Sequence, residues 1–168
     1  MAEPVTTLLD TTLLSNFAHA RRPDLLLSVL GLAATTPQVM AELRKGEALG
    51  FVPTCDWSWL PVWASTEAEA RTATAWARQL DPGEAECLAV AQGRGCRFLS
   101  DDLAARRLAE SLGLVVSGTL GVLLKAVEID VLGVGAADDL LHIMIGRGYR
   151  APVRSLREIA GGIGERSG

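Results

Sequence analysis

The chain has little from which the commoner hydrolytic centres are built. Of its 168 residues only 2 are histidine and 3 are cysteine. His19 and His142 have no metal-ligating partner at i+3 or i+4, and Cys55, Cys87 and Cys96 are odd in number and lack metal-site spacing. Zinc hydrolysis, Ser-His-Asp chemistry and a disulfide framework therefore all lose support, and both histidines read as ordinary structural or surface residues. A basic, apolar, small-residue leader is also missing, which together with the unpaired cysteines makes a reducing cytoplasm the expected compartment. The longest apolar stretch, Leu112 to Leu124, is broken by Ser117, Gly118 and Gly121 and stopped by Lys125. A bilayer span needs ~20 residues, so no membrane association is expected. Nor does one sign of charge dominate. With 16 Lys and Arg against 20 Asp and Glu the formal net charge is -4, which excludes a broadly basic nucleic-acid binder and leaves any such contact to a local patch.

What remains is ample for one folded domain. Hydrophobic residues make up 49% of the chain, and this length builds a core without disulfides or a structural metal. Residues 1–168 are therefore expected to form a single domain whose last part, 135–168, is a C-terminal helical extension.

The informative segment comes early. Val5-Thr6-Thr7-Leu8-Leu9-Asp10-Thr11-Thr12 is a short apolar strand running straight into an acid and two hydroxyls. In open α/β sheets ligands bind beyond the carboxyl ends of the strands, so Asp10 is placed for chemistry. The arrangement returns in Cys96-Arg97-Phe98-Leu99-Ser100-Asp101-Asp102. Each of Asp10, Ser100 and Asp101 also suits a helix N-cap. One side-chain oxygen is enough to cap, however, so the second of the two adjacent acids is surplus and points to a cation site.

Strand and helix signals alternate along the chain. Strands are expected over 5–10, 32–35, 96–100 and 114–117. Helices are expected over 13–21, 23–30, from Thr36-Pro37 to a stop at Gly46 and Gly50, over 66–80, from Pro82 onward, and over 102–112, 119–128, 136–147 and 155–159. This order predicts a three-layer α/β/α sandwich with a central, mostly parallel sheet. The stretch from Phe51 to Ser65 is the least readable. Trp57, Trp59 and Trp63 alternate there at strand period around Pro61, and packing under a loop is favoured over a platform for stacked bases.

These motifs together resemble the PIN-domain nucleases, in particular a PIN-like subgroup of uncharacterised prokaryotic proteins. The family's opening strand ending in Asp-Thr/Ser-x-x-Leu is matched by Leu9-Asp10-Thr11-Thr12-Leu13-Leu14, and its helical acid by Val39-Met40-Ala41-Glu42-Leu43. Its third and fourth acids match Glu84, in Leu80-Asp81-Pro82-Gly83-Glu84-Ala85-Glu86, and Asp102, in Ser100-Asp101-Asp102-Leu103-Ala104-Ala105-Arg106. One departure is that Glu84 stands where many members have Asp. The resemblance implies that Asp10, Glu42, Glu84 and Asp102 are the catalytic, metal-holding residues of an endoribonuclease, with Thr12, Glu86 and Asp101 as supporting or alternative groups. It further implies RNA as substrate, and an antitoxin protein and a second copy of the chain as partners, since relatives are often VapC-like toxins of toxin–antitoxin pairs.

Elementary chemistry is consistent with that assignment. Two carboxylates 4 Å apart repel by ~1 kcal/mol in water and ~4 kcal/mol at an effective dielectric of 20, a cost that a divalent cation removes. An all-oxygen donor set suits Mg²⁺ or Mn²⁺. Positions i and i+2 of a helix point to nearly opposite sides, so Glu84 and Glu86 cannot easily serve one ion together, and spacing selects Glu84. Spacing likewise selects Asp102 as ligand and leaves Asp101 as the helix cap. Arg106 and Arg107, one turn beyond Asp102, are the expected nucleic-acid contacts, with Arg94 and Arg97 as further members of a basic rim. Arg147, Arg150, Arg154 and Arg157 form a second cluster, fit for RNA or a partner protein. The Gly118-Thr119 helix start offers N–H groups to an anion.

Two other classes stay open at this point. One is a non-catalytic PIN-like module binding nucleic acid or protein. The other is a phosphohydrolase with an aspartyl nucleophile, which expects a second Asp where this chain has Thr12.

Overall fold

The computed structural model describes residues 3–160. The last part of the expected helical extension, 161–168, lies outside the described residues. Four parallel strands, β1 (Thr7–Leu9), β2 (Ala33–Ala34), β3 (Arg97–Leu99) and β4 (Val116–Ser117), form one sheet in the order β2-β1-β3-β4. Helices α1 (Thr11–His19) and α2 (Asp24–Leu30) join β1 to β2, and α3 (Pro37–Ala48), α4 (Glu67–Trp76) and α5 (Pro82–Arg94) join β2 to β3. Helix α6 (Leu103–Ser111) joins β3 to β4, and α7 (Thr119–Glu128), α8 (Val134–Gly146) and α9 (Arg157–Ala160) follow. The result is the expected α/β/α sandwich, with no helix among the described residues long and apolar enough to cross a membrane.

The strand order explains where a site belongs. From β1 the chain moves to one edge, then returns to build β3 on β1's other side, with Leu8 opposite Phe98 and Leu9 opposite Leu99. The crevice where the order reverses lies beyond the carboxyl ends of β1 and β3, the usual ligand position in such sheets. Asp10 follows β1 there and Ser100-Asp101-Asp102 follows β3.

Helix α5 is the central helix of one layer. Gly83, Glu84, Ala85 and Cys87 through Ala91 are all buried, and it packs on β1 and β3 while holding α3 and α4. A helix covered on nearly all sides needs small side chains to be approached closely, which accounts for its run of Ala and Gly. It ends at Gly95, whose left-handed φ of 65° forms the C-cap. Helix α3 runs to Ala48 rather than stopping at Gly46, and it is Gly50, with φ 75°, that turns the chain away.

The tryptophan stretch is packing. Backbone bonds from Thr35 N to Pro61 O (2.9 Å) and from Trp63 N to Thr35 O (2.8 Å) lay residues 61–63 alongside β2 as a parallel bridge. Trp57 is buried against Trp59, their rings 6.2 Å apart. Arg94 ties the segment down: its guanidinium lies 5.2 Å from the Trp63 ring centre, bonds Ala64 O at 2.7 Å and pairs with Glu69 at 2.9 Å. Arg94 and Arg97 therefore do not border the acids. Residues that precede a parallel strand lie at its amino end, the opposite edge of the sheet from those that follow it.

Candidate functional site

Three of the four acids that the sequence singles out sit at the start of their own helix, and the fourth, Glu42, is held by the starts of two others. Asp10 is the N-cap of α1, its Oδ1 accepting from Leu13 N at 3.1 Å and from the Thr12 hydroxyl at 2.8 Å. Asp102 is the N-cap of α6 and accepts from Ala105 N at 2.8 Å. Glu84, in the first turn of α5, accepts from Asp81 N at 3.0 Å. Glu42 reaches from the middle of α3, with Oε2 accepting from the Thr11 hydroxyl at 2.6 Å and Oε1 from Gly83 N at 2.7 Å. Since Thr11 adjoins Asp10 and Gly83 adjoins Glu84, Glu42 is drawn to the shared edge where α1 and α5 begin.

The electrostatics single out Asp10 and Glu84. Asp10 is fully buried, and burial pushes its pKa up to about 7, although the neighbouring Ser100 hydroxyl, Leu13 N and Thr12 pull the other way. Its second oxygen, Oδ2, is buried without a hydrogen-bond partner. Such an orphaned acceptor is costly unless something outside the chain completes it. Burial also lifts Glu84 to about 7, and repulsion from Asp102, Asp10 and Asp81 adds to the effect. Glu84 thus feels the charge of both Asp10 and Asp102, as an acid sharing a cation site with them should. The donors fit Mg²⁺ or Mn²⁺ in kind, all being hard carboxylate oxygens. Among the described residues no three His, Cys, Asp or Glu side chains are yet grouped to hold one ion. The N–H bonds at Asp81, Gly83 and Ala105 occupy oxygens that an ion would share.

The remaining sequence candidates divide between the acid edge and other places. Thr12 bridges the two strand ends, since its hydroxyl donates to Asp10 and accepts from Asp101 N at 3.2 Å. Asp101 is not the cap of α6, a position that Asp102 occupies. It reaches across to α7, accepting from Thr119 N at 2.8 Å, from the Thr119 hydroxyl and from Asn16 Nδ2 at 2.9 Å. The anion at the Gly118-Thr119 helix start is therefore the chain's own Asp101. A Cβ on Gly118 would fall 2.5 Å from Asp101 Oδ1, so glycine is needed for this approach. Glu86 faces away from the acids, as helix geometry requires. It accepts from Gln38 N at 2.9 Å at the start of α3, where Thr36 makes no side-chain cap, and from the Ser65 hydroxyl at 3.4 Å. Arg106 lies beside Gly118 and Tyr149. Arg107 is exposed on α6.

Sequence reasoning missed Asn16 and Tyr149. Asn16 is buried among Leu13, Leu14 and Phe17, and a polar residue inside an apolar helix face was the available signal. Tyr149 has its phenol pKa raised by burial and by the nearby Asp101, and nothing local in the sequence announces that contact. Both border a groove of ≈ 350 Å³ between Thr11, Thr12, Ser15, Asn16 and His19 on one side and Arg147–Arg150 on the other, with Asp101 and Asp102 at its end.

No curated protein matches the chain. The crystal structure of PAE2754 from Pyrobaculum aerophilum is similar in fold, with a TM-score of 0.51 and 16% sequence identity over 74% of this chain and 92% of that one. The family model DUF3368, described as a PIN domain, matches residues 6–165, nearly the whole chain. That match over nearly the whole length, on a chain whose described residues form a four-stranded parallel sheet, makes this chain a member of the PIN-domain family.

Proposed function

We propose that this protein is a Mg²⁺- or Mn²⁺-dependent endoribonuclease that hydrolyses phosphodiester bonds in single-stranded or structured RNA. The PIN domain is a nuclease-type fold, which sets the reaction class. The observation that carries the reading is Asp10: a carboxylate buried completely, with one oxygen unpartnered, at the strand switch point, whose charge, with that of Asp102, acts on Glu84. A structural cap has no need of that arrangement.

Asp10, Glu84 and Asp102 are the residues that would hold the cation, with Glu42 across the edge from them. When bound, the ion would neutralise the acids, make water a better nucleophile and polarise the scissile phosphate. The protein's own groups do the positioning. Thr11 and Gly83 N hold Glu42 at the site, and Thr12 fixes the separation of the two strand ends through Asp10 and Asp101. Arg106, beside Gly118, supplies positive charge next to the acids. No protein nucleophile is required.

A second reading, a binding module without catalysis, draws support from the hydrogen bonds that already engage Glu42, Glu84 and Asp102. Purified protein incubated with labelled RNA separates the two. Cleavage with Mn²⁺ that disappears with EDTA and in Asp10→Asn supports the nuclease, and loss in Glu84→Gln should exceed loss in Glu86→Gln. Intact RNA under all conditions, with no Mn²⁺ binding by calorimetry, sinks it in favour of the module.

A further inference from the structure

The groove beside the acids carries a charge pattern that the four-acid centre does not explain. One wall is a row on α1, Thr12, Ser15 with Asn16, and His19, residues that share a face at helical spacing. Seven residues at 1.5 Å each span roughly 10 Å. The other wall is the segment after α8, Arg147-Gly148-Tyr149-Arg150, in which Arg147, Gly148 and Arg150 are exposed. Arg147 stands close enough to His19 to lower its pKa, after the larger effect of burial. Neither Arg147 nor Arg150 has a carboxylate partner among the described residues, whereas Arg22, Arg44, Arg71 and Arg94 each have one. Two exposed guanidiniums on one wall, with Arg147 close to His19, offer contacts to an anion lying in the groove.

The anion must also leave from an acidic centre, because Asp101 and Asp102 close the same groove. An acidic peptide would meet those carboxylates with nothing gained. A phosphodiester strand whose scissile group lies at the acid centre would continue outward along this wall, past hydroxyl and amide donors, to the two arginines. Phosphates of one stacked strand are spaced by about 3.4 Å of helix axis and lie further apart through space, so ~10 Å of wall is long enough for about two of them.

We propose that this groove is the exit path of the nucleic-acid strand, with Arg147 and Arg150 binding backbone phosphates on one side of the cut. The inference rests on the nuclease reading for its direction, but binding is measurable without cleavage. The walls come from distant parts of the chain, and the short loop 147–150 is held in place behind the groove. Asp138 in α8 accepts from the Ser155 hydroxyl and Leu156 N, each at 2.7 Å, which folds the chain beyond the loop back onto that helix. The arginines are therefore presented from an anchored turn.

The test is fluorescence anisotropy of a short labelled single-stranded RNA in EDTA, with wild type, Arg147→Gln/Arg150→Gln, the charge-keeping Arg147→Lys/Arg150→Lys, and Arg97→Gln/Lys125→Gln as a charge-matched control at the opposite sheet edge. Removing two phosphate contacts should weaken binding at least about tenfold at low salt. It should also flatten the log–log salt dependence by about 1.4, at ~0.7 per phosphate of a single strand. The lysine variant and the control should retain binding. In Mn²⁺ the glutamine variant should raise KM with little change in kcat. Equal affinity and equal salt slope for wild type and the glutamine variant would overturn the assignment, as would a wild type that binds no RNA. Displacement of the RNA by polyglutamate at matching charge concentration would overturn it in favour of an acidic protein partner. Wild type that binds through the arginines yet cuts nothing would sink the nuclease reading and leave the groove standing.

Discussion

Glu42 and Gly83 are fitted to each other: Gly83 N donates to Glu42 Oε1 at 2.7 Å, and a Cβ built on Gly83 would overlap the same carboxylate. The helix that carries Glu84 thus has in its first turn the only residue type that lets Glu42 approach its backbone. Two acids far apart in sequence are brought to one edge by a missing side chain.

That relationship gives a substitution remote from charge that should act like the loss of one. Gly83→Ala should push Glu42 out of the site and lower both Mn²⁺ affinity and RNA cleavage, by amounts close to those of Glu42→Gln. Stability should hardly fall, because Ala is favoured over Gly by about 1 kcal/mol inside a helix and the displaced group is the far end of a half-buried side chain. Calorimetric Mn²⁺ titration alongside thermal melts checks both halves. Full Mn²⁺ affinity in Gly83→Ala would mean that Glu42 is not part of the cation site.

Much of this was legible in the sequence, and the reasons are local. Asp10 and Asp102 each follow an apolar strand and open a helix, and Glu84 sits in a Pro-Gly-Glu helix start, so period and capping rules place all three. The parallel sheet followed from the alternation of elements. What was not legible is long-range. Asp101 reads as a local cap, yet its partners Asn16 and Thr119 lie in other segments and become neighbours only when α1 and α7 pack together. Arg94 reads as part of a basic rim, but parallel strands send it to the far edge, where Glu69 and Trp63 take it. Likewise Arg147, at the end of α8, gains meaning only beside His19.

The raised acids predict how stability depends on pH without metal. The folded-state pKa of Asp10 is about 7 against an ordinary value of 3.8, and that of Glu84 is about 7 against 4.5. Between those values the folded protein holds protons that the unfolded chain has released. Stability contributed by the neutral acids is therefore full below about pH 4, falls as pH rises towards 7 and is flat above it. Melts in EDTA should show a lower Tm at pH 8 than at pH 5, from these groups, and Asp10→Asn should reduce the difference and raise Tm at pH 8. Added Mn²⁺ should restore more stability at pH 8 than at pH 5, because binding requires the carboxylates deprotonated. A Tm difference that Asp10→Asn leaves unchanged would show that Asp10 is already charged and satisfied in the metal-free fold.

Neighbouring acids on one strand end should fail in different ways. Asp101 joins α1 and α7 through Asn16 and Thr119, so Asp101→Ala leaves the buried Asn16 amide without that acceptor and Thr119 N without its cap. Each unsatisfied buried group costs about 1–3 kcal/mol, so the loss should reach several kcal/mol in urea unfolding. Asp102 gives up one cap bond, to Ala105 N, so Asp102→Ala should cost only about 1 kcal/mol. Activity should run the other way. Asp102→Ala should abolish Mn²⁺-dependent cleavage in a protein that is almost fully folded, because it removes one of the charges opposed to Glu84. Asp101→Ala, assayed at a temperature where it remains folded, should keep part of its cleavage, since Asp10, Glu84 and Asp102 are still present. If Asp101→Ala is the inactive but stable variant, the roles are exchanged, and the acid bridging α1 to α7 belongs to the cation site instead.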